Sequence, residues 1–263
     1  MQKKYTFDDL RDIIEQLRSE NGCPWDKVQT HESLRADMLE EAYEAVDAID
    51  KGDMDNLKEE LGDVLMQVVF HSSIEAQKGG FTLDDVIQGI CEKMVYRHPH
   101  VFGEISVDTA EQVLVNWEAL KKKEKHMQTQ TDVLKSVPDA LPALTRARKV
   151  QKKAADVGFD FYEAGGAMEK VAEEIRELQE AVEQPNGKIE EEFGDILFAL
   201  VNVARFLKIN PEFALTKATK KFINRFEYVE NSALSEGKQL STMTLEEMDL
   251  LWDQAKIALS KKL

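Results

Sequence analysis

The chain has 263 residues, of which 43% are hydrophobic and 32% are charged, a balance typical of a globular protein and not of a disordered one. Its formal net charge of −16 argues against a general nucleic-acid-binding surface or an anionic-membrane surface. The length is enough for two domains of ordinary size.

The composition also bears on the compartment. Two cysteines, Cys23 and Cys91, form neither a disulfide framework nor a paired-thiolate metal motif, which fits a reducing compartment. The N-terminus turns polar and acidic without an apolar signal core, and the longest apolar runs are too short to span a bilayer. We therefore expect a cytoplasmic protein without a membrane or nucleic-acid partner.

Helix signals fill the chain, and sustained strand signals are almost absent. The helices predicted in the first half run from Thr6 to Asn21-Gly22, over Met38–Ile49, from Asp53 to Gly79-Gly80, from Thr82 to His98-Pro99, and over Thr109–Lys125. Those predicted in the second half cover Leu141–Val157, Met168–Val182 and Ile189–Leu207, then start at Asn210-Pro211 and at the capping box Thr244-x-x-Glu247.

The region between the halves is polar and charged from Lys121 to Asp132, and Pro138 and Pro142 follow it. We predict an all-α protein with one helical domain over residues 1–122, a linker over 123–136, and a second helical domain over 137–263.

One acidic motif occurs twice. Glu40-Glu41-x-x-Glu44 is followed after fifteen residues by Glu60-Leu61-Gly62-Asp63, and Glu173-Glu174-x-x-Glu177 is followed after fourteen by Glu192-Phe193-Gly194-Asp195. Because helix positions three apart lie on one face, each copy predicts four carboxylates that face one another across a helix pair. Such carboxylates repel unless a cation lies between them, and hard oxygen ligands suit Mg²⁺ or Mn²⁺.

A basic and aromatic motif follows each acidic one. Lys93-x-x-x-Arg97 and Trp117-x-x-x-Lys121 stand in the first half, and Lys221-x-x-x-Arg225 and Trp252-x-x-x-Lys256 stand in the second. Each half thus holds acids for a metal and bases for phosphate oxygens, as binding of a metal-bound triphosphate requires.

Plainer interpretations exist for these features. A single Glu-Glu-x-x-Glu is often a solvated helix face, and Asp63 and Asp195 could instead form buried salt bridges. The lysines and arginines could be ordinary surface charges, and the tryptophans are more typical of core or interface positions than of base stacking. Glycine inside a helix costs about 1 kcal/mol relative to alanine. Its presence at Gly62 and Gly194 therefore predicts a close backbone approach at both positions.

Three further motifs carry a resemblance to a known family. Gly22-Cys23-Pro24-Trp25-Asp26, Tyr96-Arg97-His98-Pro99-His100-Val101-Phe102 and Val157-Gly158-Phe159-Asp160, together with the paired acidic motif, resemble the MazG family of nucleoside triphosphate pyrophosphohydrolases. The resemblance covers nearly the whole chain and both repeats. It implies two tandem MazG-like helical bundle repeats that dimerise through helix packing.

The resemblance also implies roles for individual residues. The metal ligands would be Glu174, Glu177, Glu192 and Asp195, with Glu41, Glu44, Glu60 and Asp63 as their first-copy counterparts. Phosphates and the nucleotide pocket would involve Lys221, Arg225, Lys256 and Trp252, with Lys93, Arg97, Lys121 and Trp117 as first-copy counterparts. The candidates for the general base are Glu173 and Glu174.

The activity implied is Mg²⁺-dependent hydrolysis of NTPs and dNTPs to monophosphate and pyrophosphate by a homodimer, as housekeeping of nucleotide pools, with Mn²⁺ as a substitute metal. One alternative is the same chemistry on a dUTP-like or alarmone nucleotide. Another is a non-catalytic helical adaptor with structural metal sites, against which the lysine–arginine pairs argue. Both copies hold the key residues, and the greater number of cations near the second mildly favours it.

Overall fold

A computed structural model of the chain describes residues 3–103, 109, 112–113, 116–117, 120, 127–184 and 187–260. Over these residues the protein has eleven α-helices and no strand, which confirms the predicted all-α fold class. The chain divides into two compact units, Met1–Lys121 and Lys122–Leu263. None of the helices described is both long enough and apolar enough to cross a lipid bilayer.

The first unit contains helices α1 (Phe7–Arg18), α2 (Arg35–Lys51), α3 (Met54–Gln77), α4 (Leu83–Arg97) and α5 (Pro99–Phe102). Helices α1, α2 and α4 each pack against the long helix α3. The apolar core between them contains Ile14, Leu34, Val69, Phe70, Ile74 and Leu83. The helix predicted over Thr109–Lys125 lies largely outside the described residues.

Local capping explains where these helices start and stop. Thr6, Asp53 and Thr82, where helices are predicted to begin, cap these helices, and each side chain accepts a hydrogen bond from the backbone amide three residues later. Helix α2 ends at Gly52, whose φ of 69° is left-handed and costs glycine little. The short α2–α3 connection therefore brings the two acidic helices of the first unit side by side.

The second unit contains helices α6 (Gln130–Lys135), α7 (Ala143–Ala155), α8 (Ala164–Glu183), α9 (Ile189–Phe206), α10 (Pro211–Ser235) and α11 (Leu245–Ser260). Helix α9 packs against α8 and α7, and α10 packs against α11 and α7. A core cluster between α10 and α11 contains Val229, Ala233 and Leu251, with Trp252 against it. The predicted capping box of Thr244 and Glu247 forms at the start of α11.

Helix α6 lies inside the segment 123–136, for which the sequence predicts a linker. Thr129 and Asp132 form a capping box at its start, Val133 is 3% exposed, and the helix packs against α7. Gln130 also donates a hydrogen bond to the carbonyl of Lys153 in α7. The polar composition of the segment gave no indication of this short helix, which packs against the second unit through the buried side chain of Val133.

The predicted close approach at the two helical glycines is wrong within the described chain. A Cβ built at Gly62 or Gly194 would meet no atom of another part of the described structure within 4 Å. The surface beside each glycine is open in the single chain, so contacts within the chain do not account for the choice of glycine.

Candidate active site

The acidic residues of the first repeat converge between α2 and α3. Glu41, Glu60 and Asp63 each place one carboxylate oxygen within 4.8 Å of the other two. Glu60 and Asp63 lie on one face of α3 because they are three residues apart. Glu60 is buried, and the other two side chains are partly buried.

The second repeat forms the same arrangement between α8 and α9. Glu174, Glu192 and Asp195 each bring one carboxylate oxygen within 4.8 Å of the other two. Glu174 is only 5% exposed, whereas Asp195 is exposed. In each unit the structure thus gathers three of the four predicted metal ligands into one cluster.

The fourth predicted ligand lies close to each cluster. After burial, the charge of Glu44 is the largest cause that raises the pKa of Glu60. Burial, and then the charge of Glu174, raises the pKa of Glu177. Each fourth carboxylate therefore interacts electrostatically with the acidic cluster of its own unit.

The electrostatics of the first cluster fit a divalent cation. Burial is the largest cause that raises the pKa of Glu41, and the neighbouring Asp63 is the next. Burial also raises the pKa of Glu60, followed by the charge of Glu44. Several hard oxygen donors whose mutual repulsion is not neutralised are a suitable ligand set for a metal ion such as Mg²⁺.

The second cluster differs because a lysine reaches it. Lys170 Nζ lies 2.8 Å from a carboxylate oxygen of Glu173 and 2.7 Å from one of Glu174. Hydrogen bonds to these two carboxylates raise the pKa of Lys170. Glu173 and Glu174, the candidate general bases, therefore share one ammonium group.

The basic and aromatic motifs form a matching contact in both units. The guanidinium of Arg97 lies 5.1 Å from the ring centre of Trp117, and that of Arg225 lies 5.8 Å from the ring centre of Trp252. These distances are typical of cation–π contacts. Each predicted arginine is thus held against the predicted tryptophan of its own repeat.

The predicted lysines differ in their surroundings. Lys93 is partly buried, Lys221 is exposed, and Lys256 Nζ lies 2.8 Å from a carboxylate oxygen of Asp253. Lys121 lies outside the described residues.

A cavity of about 730 Å³ adjoins the second acidic cluster. Its lining includes Gln151, Phe159, Lys170, Glu174, Asp195 and Asn202. It does not include Lys221, Arg225, Trp252 or Lys256. This cavity is not predicted from the sequence, although the motif Val157-Gly158-Phe159-Asp160 supplies three of its lining residues, at positions 158–160.

Comparisons with known proteins agree with this architecture. The family model described as the MazG nucleotide pyrophosphohydrolase domain matches residues 29–102 and 165–230, and these two segments contain the two acidic motifs. The chain is 54% identical over 256 residues to the uncharacterised protein YabN of Bacillus subtilis, covering 96% of this chain and 52% of YabN. The chain thus spans about half the length of that relative.

Two further relatives align over nearly their whole length. The nucleoside triphosphate pyrophosphohydrolase/pyrophosphatase MazG of Thermotoga maritima is 46% identical over 250 residues, which are 95% of each chain. The nucleoside triphosphate pyrophosphohydrolase of Escherichia coli K12 is 44% identical over 254 residues, which are 95% of this chain and 97% of the relative. With two matched domain segments and two paired acidic clusters, the chain belongs to the MazG nucleotide pyrophosphohydrolase family.

Proposed function

We propose that the protein hydrolyses nucleoside triphosphates, both ribo and deoxy, to the monophosphate and pyrophosphate with the help of Mg²⁺. The observation that carries the proposal is a cavity of about 730 Å³ that opens onto the carboxylates of Glu174 and Asp195. Membership of the MazG family supports hydrolysis of nucleoside triphosphates. The names of the Thermotoga and Escherichia relatives point to the same reaction.

The acidic cluster would hold the metal, and a carboxylate beside it would take a proton. Mg²⁺ bound there would supply Lewis-acid activation of a water and of the phosphate oxygens. Glu174, Glu192 and Asp195, with Glu177, would be the ligands, and Glu173 or Glu174 would accept the proton of the attacking water. The new bond joins the water oxygen to the α-phosphorus, and the bond from that phosphorus to the α,β-bridging oxygen breaks.

The basic residues would stabilise the pyrophosphate that leaves. Lys221, Arg225 and Lys256 carry the charges for this role, and Trp252 would shape the nucleotide site. The contact of Arg225 with the Trp252 ring supports a preorganised guanidinium group, because a held side chain loses less entropy when it binds phosphate. Lys93, Arg97, Lys121 and Trp117 would be the first-copy counterparts.

The second unit is the better candidate for turnover. Glu174 and Asp195, from its acidic cluster, line the large cavity, and Lys217, Lys220, Lys221 and Arg225 provide more positive charge along α10 than Lys93 and Arg97 do along α4. Positive charge favours a triphosphate substrate. The first cluster could bind metal and still contribute less to catalysis.

We also propose that the chain works as a homodimer in the cytoplasm. Helix α3 exposes Leu61 and Leu65, and helix α9 exposes Phe193, Leu197 and Leu200, which are 54%, 41% and 47% exposed. Apolar side chains exposed in a row are typical of a surface that another helix covers. Multi-angle light scattering of the wild type and of Leu197→Glu tests this, and a wild-type monomer would contradict it.

The reaction itself is tested by its products. With ATP and Mg²⁺ we expect AMP and pyrophosphate in equal amounts, as measured by ion-exchange chromatography of the quenched mixture. ADP and inorganic phosphate would contradict cleavage at the α-phosphorus. A metal-binding adaptor would release neither pair, and ATP with Mg²⁺ would then raise its melting temperature no more than Mg²⁺ alone.

A further inference from the structure

The cavity beside the second acidic cluster has the size and the walls of a small-molecule pocket. Its volume of about 730 Å³ falls within the range of about 300–1,000 Å³ usual for such sites. Val150, Ala154, Phe159, Phe161 and Phe198 give it apolar and aromatic walls. The lining also includes Glu174 and Asp195 of the acidic cluster, so a ligand held in the cavity also reaches the proposed metal centre.

The two cations that line the cavity, Lys170 and Arg205, are already paired with carboxylates. Lys170 contacts Glu173 and Glu174, and Arg205 forms an ion pair with Asp160. The side chains of Arg205 and Asp160 are only 15% and 22% exposed. A paired, partly buried cation attracts a further anion weakly, so the apolar part of the cavity suits a neutral group and not a second phosphate.

Amide groups provide the polar contacts within these walls. Gln151 is 7% exposed, and its Nε2 donates a hydrogen bond of 2.7 Å to the carbonyl of Phe198. Its Oε1 is buried and has no hydrogen-bond partner in the described part of the chain. A buried acceptor without a partner is costly and favours a ligand with N–H groups at its edge.

Phe159 is the aromatic residue best placed to cover such a ligand. It lies in the loop between α7 and α8, directly after Gly158, whose φ of 85° is left-handed. Its side chain is 83% exposed although it lines the cavity. A phenylalanine ring exposed to this extent beside an apolar cavity offers a free face for stacking.

Resting on the proposed function, we infer that this cavity is the nucleobase pocket of the second unit and that Phe159 is its stacking ring. The base lies between the apolar walls, and the triphosphate extends to Glu174 and Asp195. Stacking on an aromatic ring tolerates any base. The pocket therefore requires an aromatic base on the substrate but discriminates little between bases.

The test compares Phe159→Ala with Tyr162→Ala, a matched control in the same loop that is fully exposed and does not line the cavity. Equilibrium binding of ATP, in the form of its non-hydrolysable α,β-methylene analogue, and of inorganic tripolyphosphate is measured by calorimetry on the full chain with Mg²⁺. We expect Phe159→Ala to weaken ATP binding about tenfold, as the loss of one stacked base predicts. Tripolyphosphate, which has no base, binds all three proteins alike, and Phe159→Trp retains ATP binding.

Steady-state kinetics on the same proteins provide a second measurement. Phe159→Ala raises KM for ATP by a similar factor and changes kcat little, because the ring contacts the base and not the reacting phosphorus. Equal ATP affinity in wild type and Phe159→Ala overturns the inference, and so does an equal loss of affinity for tripolyphosphate. If ATP binding depends on Phe159 and no nucleotide is hydrolysed, the proposed function fails and the pocket stands.

Discussion

Lys170 Nζ lies 2.7 Å from a carboxylate oxygen of Glu174, four residues further along α8. The first repeat has Asp37 at the corresponding position, four residues before Glu41. The acidic cluster of the second unit therefore has the ammonium group of Lys170 beside it. The equivalent position in the first unit is occupied by Asp37, which adds a further carboxylate. The two repeats have the same acidic motif but different electrostatics.

Removing Lys170 should tighten metal binding in the second unit, because the ammonium group competes with the metal for the carboxylates. We expect Lys170→Met to bind Mn²⁺ several-fold more tightly than its parent, in a Glu41→Gln background that weakens the first site. Free Mn²⁺ measured by electron paramagnetic resonance gives the affinity. Lys238→Met is the control for net charge, since Lys238 pairs with Glu236 outside the clusters. Unchanged or weaker Mn²⁺ binding by Lys170→Met contradicts the competition.

Neutralising Glu60 should stabilise the metal-free protein. Burial and the neighbouring carboxylates raise the pKa of Glu60, so its charged form is unfavourable in the folded state at neutral pH. We expect Glu60→Gln to have a higher melting temperature than wild type in EDTA and to gain less from added Mg²⁺.

The control for this prediction is Glu59→Gln, because Glu59 lies outside the cluster of three and its charge raises the pKa of Glu60 less than those of Glu44 and Asp63 do. If Glu60→Gln melts at a lower temperature in EDTA than Glu59→Gln does, repulsion between the carboxylates is not the dominant effect at Glu60.

Much of this site could be predicted from the sequence, because the relevant information is local. Spacing on a helix places Glu60 with Asp63 and Glu192 with Asp195, and a short connection after Gly52 brings α2 against α3. Helix starts are equally local, and the helices predicted to begin at Thr6 and Thr82 are capped by those residues.

The features that the sequence did not predict depend on packing between distant segments. The cavity arises where the α7–α8 loop meets α9. The ion pair between Asp160 of the loop and Arg205 of α9 is one of the contacts between these two segments, and both residues line the cavity. Helix α6 was missed because burial of Val133 against α7 outweighs the polar composition around it. The prediction of a close backbone approach at Gly62 and Gly194 is wrong within the described chain, because a glycine in a helix does not by itself indicate that another segment packs against it.

A histidine pair should make the stability of the protein depend on pH. His31 Nδ1 lies 2.7 Å from His71 Nδ1, and His31 Nε2 lies 2.7 Å from a carboxylate oxygen of Glu75. Burial, and then the charge of His31, lowers the pKa of His71 below its ordinary value of 6.5. Between the lowered pKa and about 6.5 the unfolded chain binds more protons, so stability falls as the pH falls through this window.

We therefore expect wild type to lose more stability than His71→Asn between pH 7.5 and pH 5.5, in urea unfolding followed by circular dichroism. The control is His100→Asn, which removes a histidine of α5 whose ring makes a tilted contact with that of His98 and lies outside the pair of His31 and His71. The lowered pKa of Glu75 acts below its ordinary value of 4.5 and so does not enter this comparison. An equal loss of stability in wild type and His71→Asn would exclude His71 as the source.

The most direct test of the central claim is pyrophosphate release from a panel of about eight NTPs and dNTPs, with Mg²⁺ or EDTA. The proteins compared are wild type, Glu174→Gln and the matched first-unit variant Glu41→Gln. We predict Mg²⁺-dependent release that Glu174→Gln loses, by a factor of about 100 or more, and Glu41→Gln largely retains. Release that survives in Glu174→Gln and disappears in Glu41→Gln would move the chemistry to the first unit, and no release from any nucleotide would contradict the proposed function.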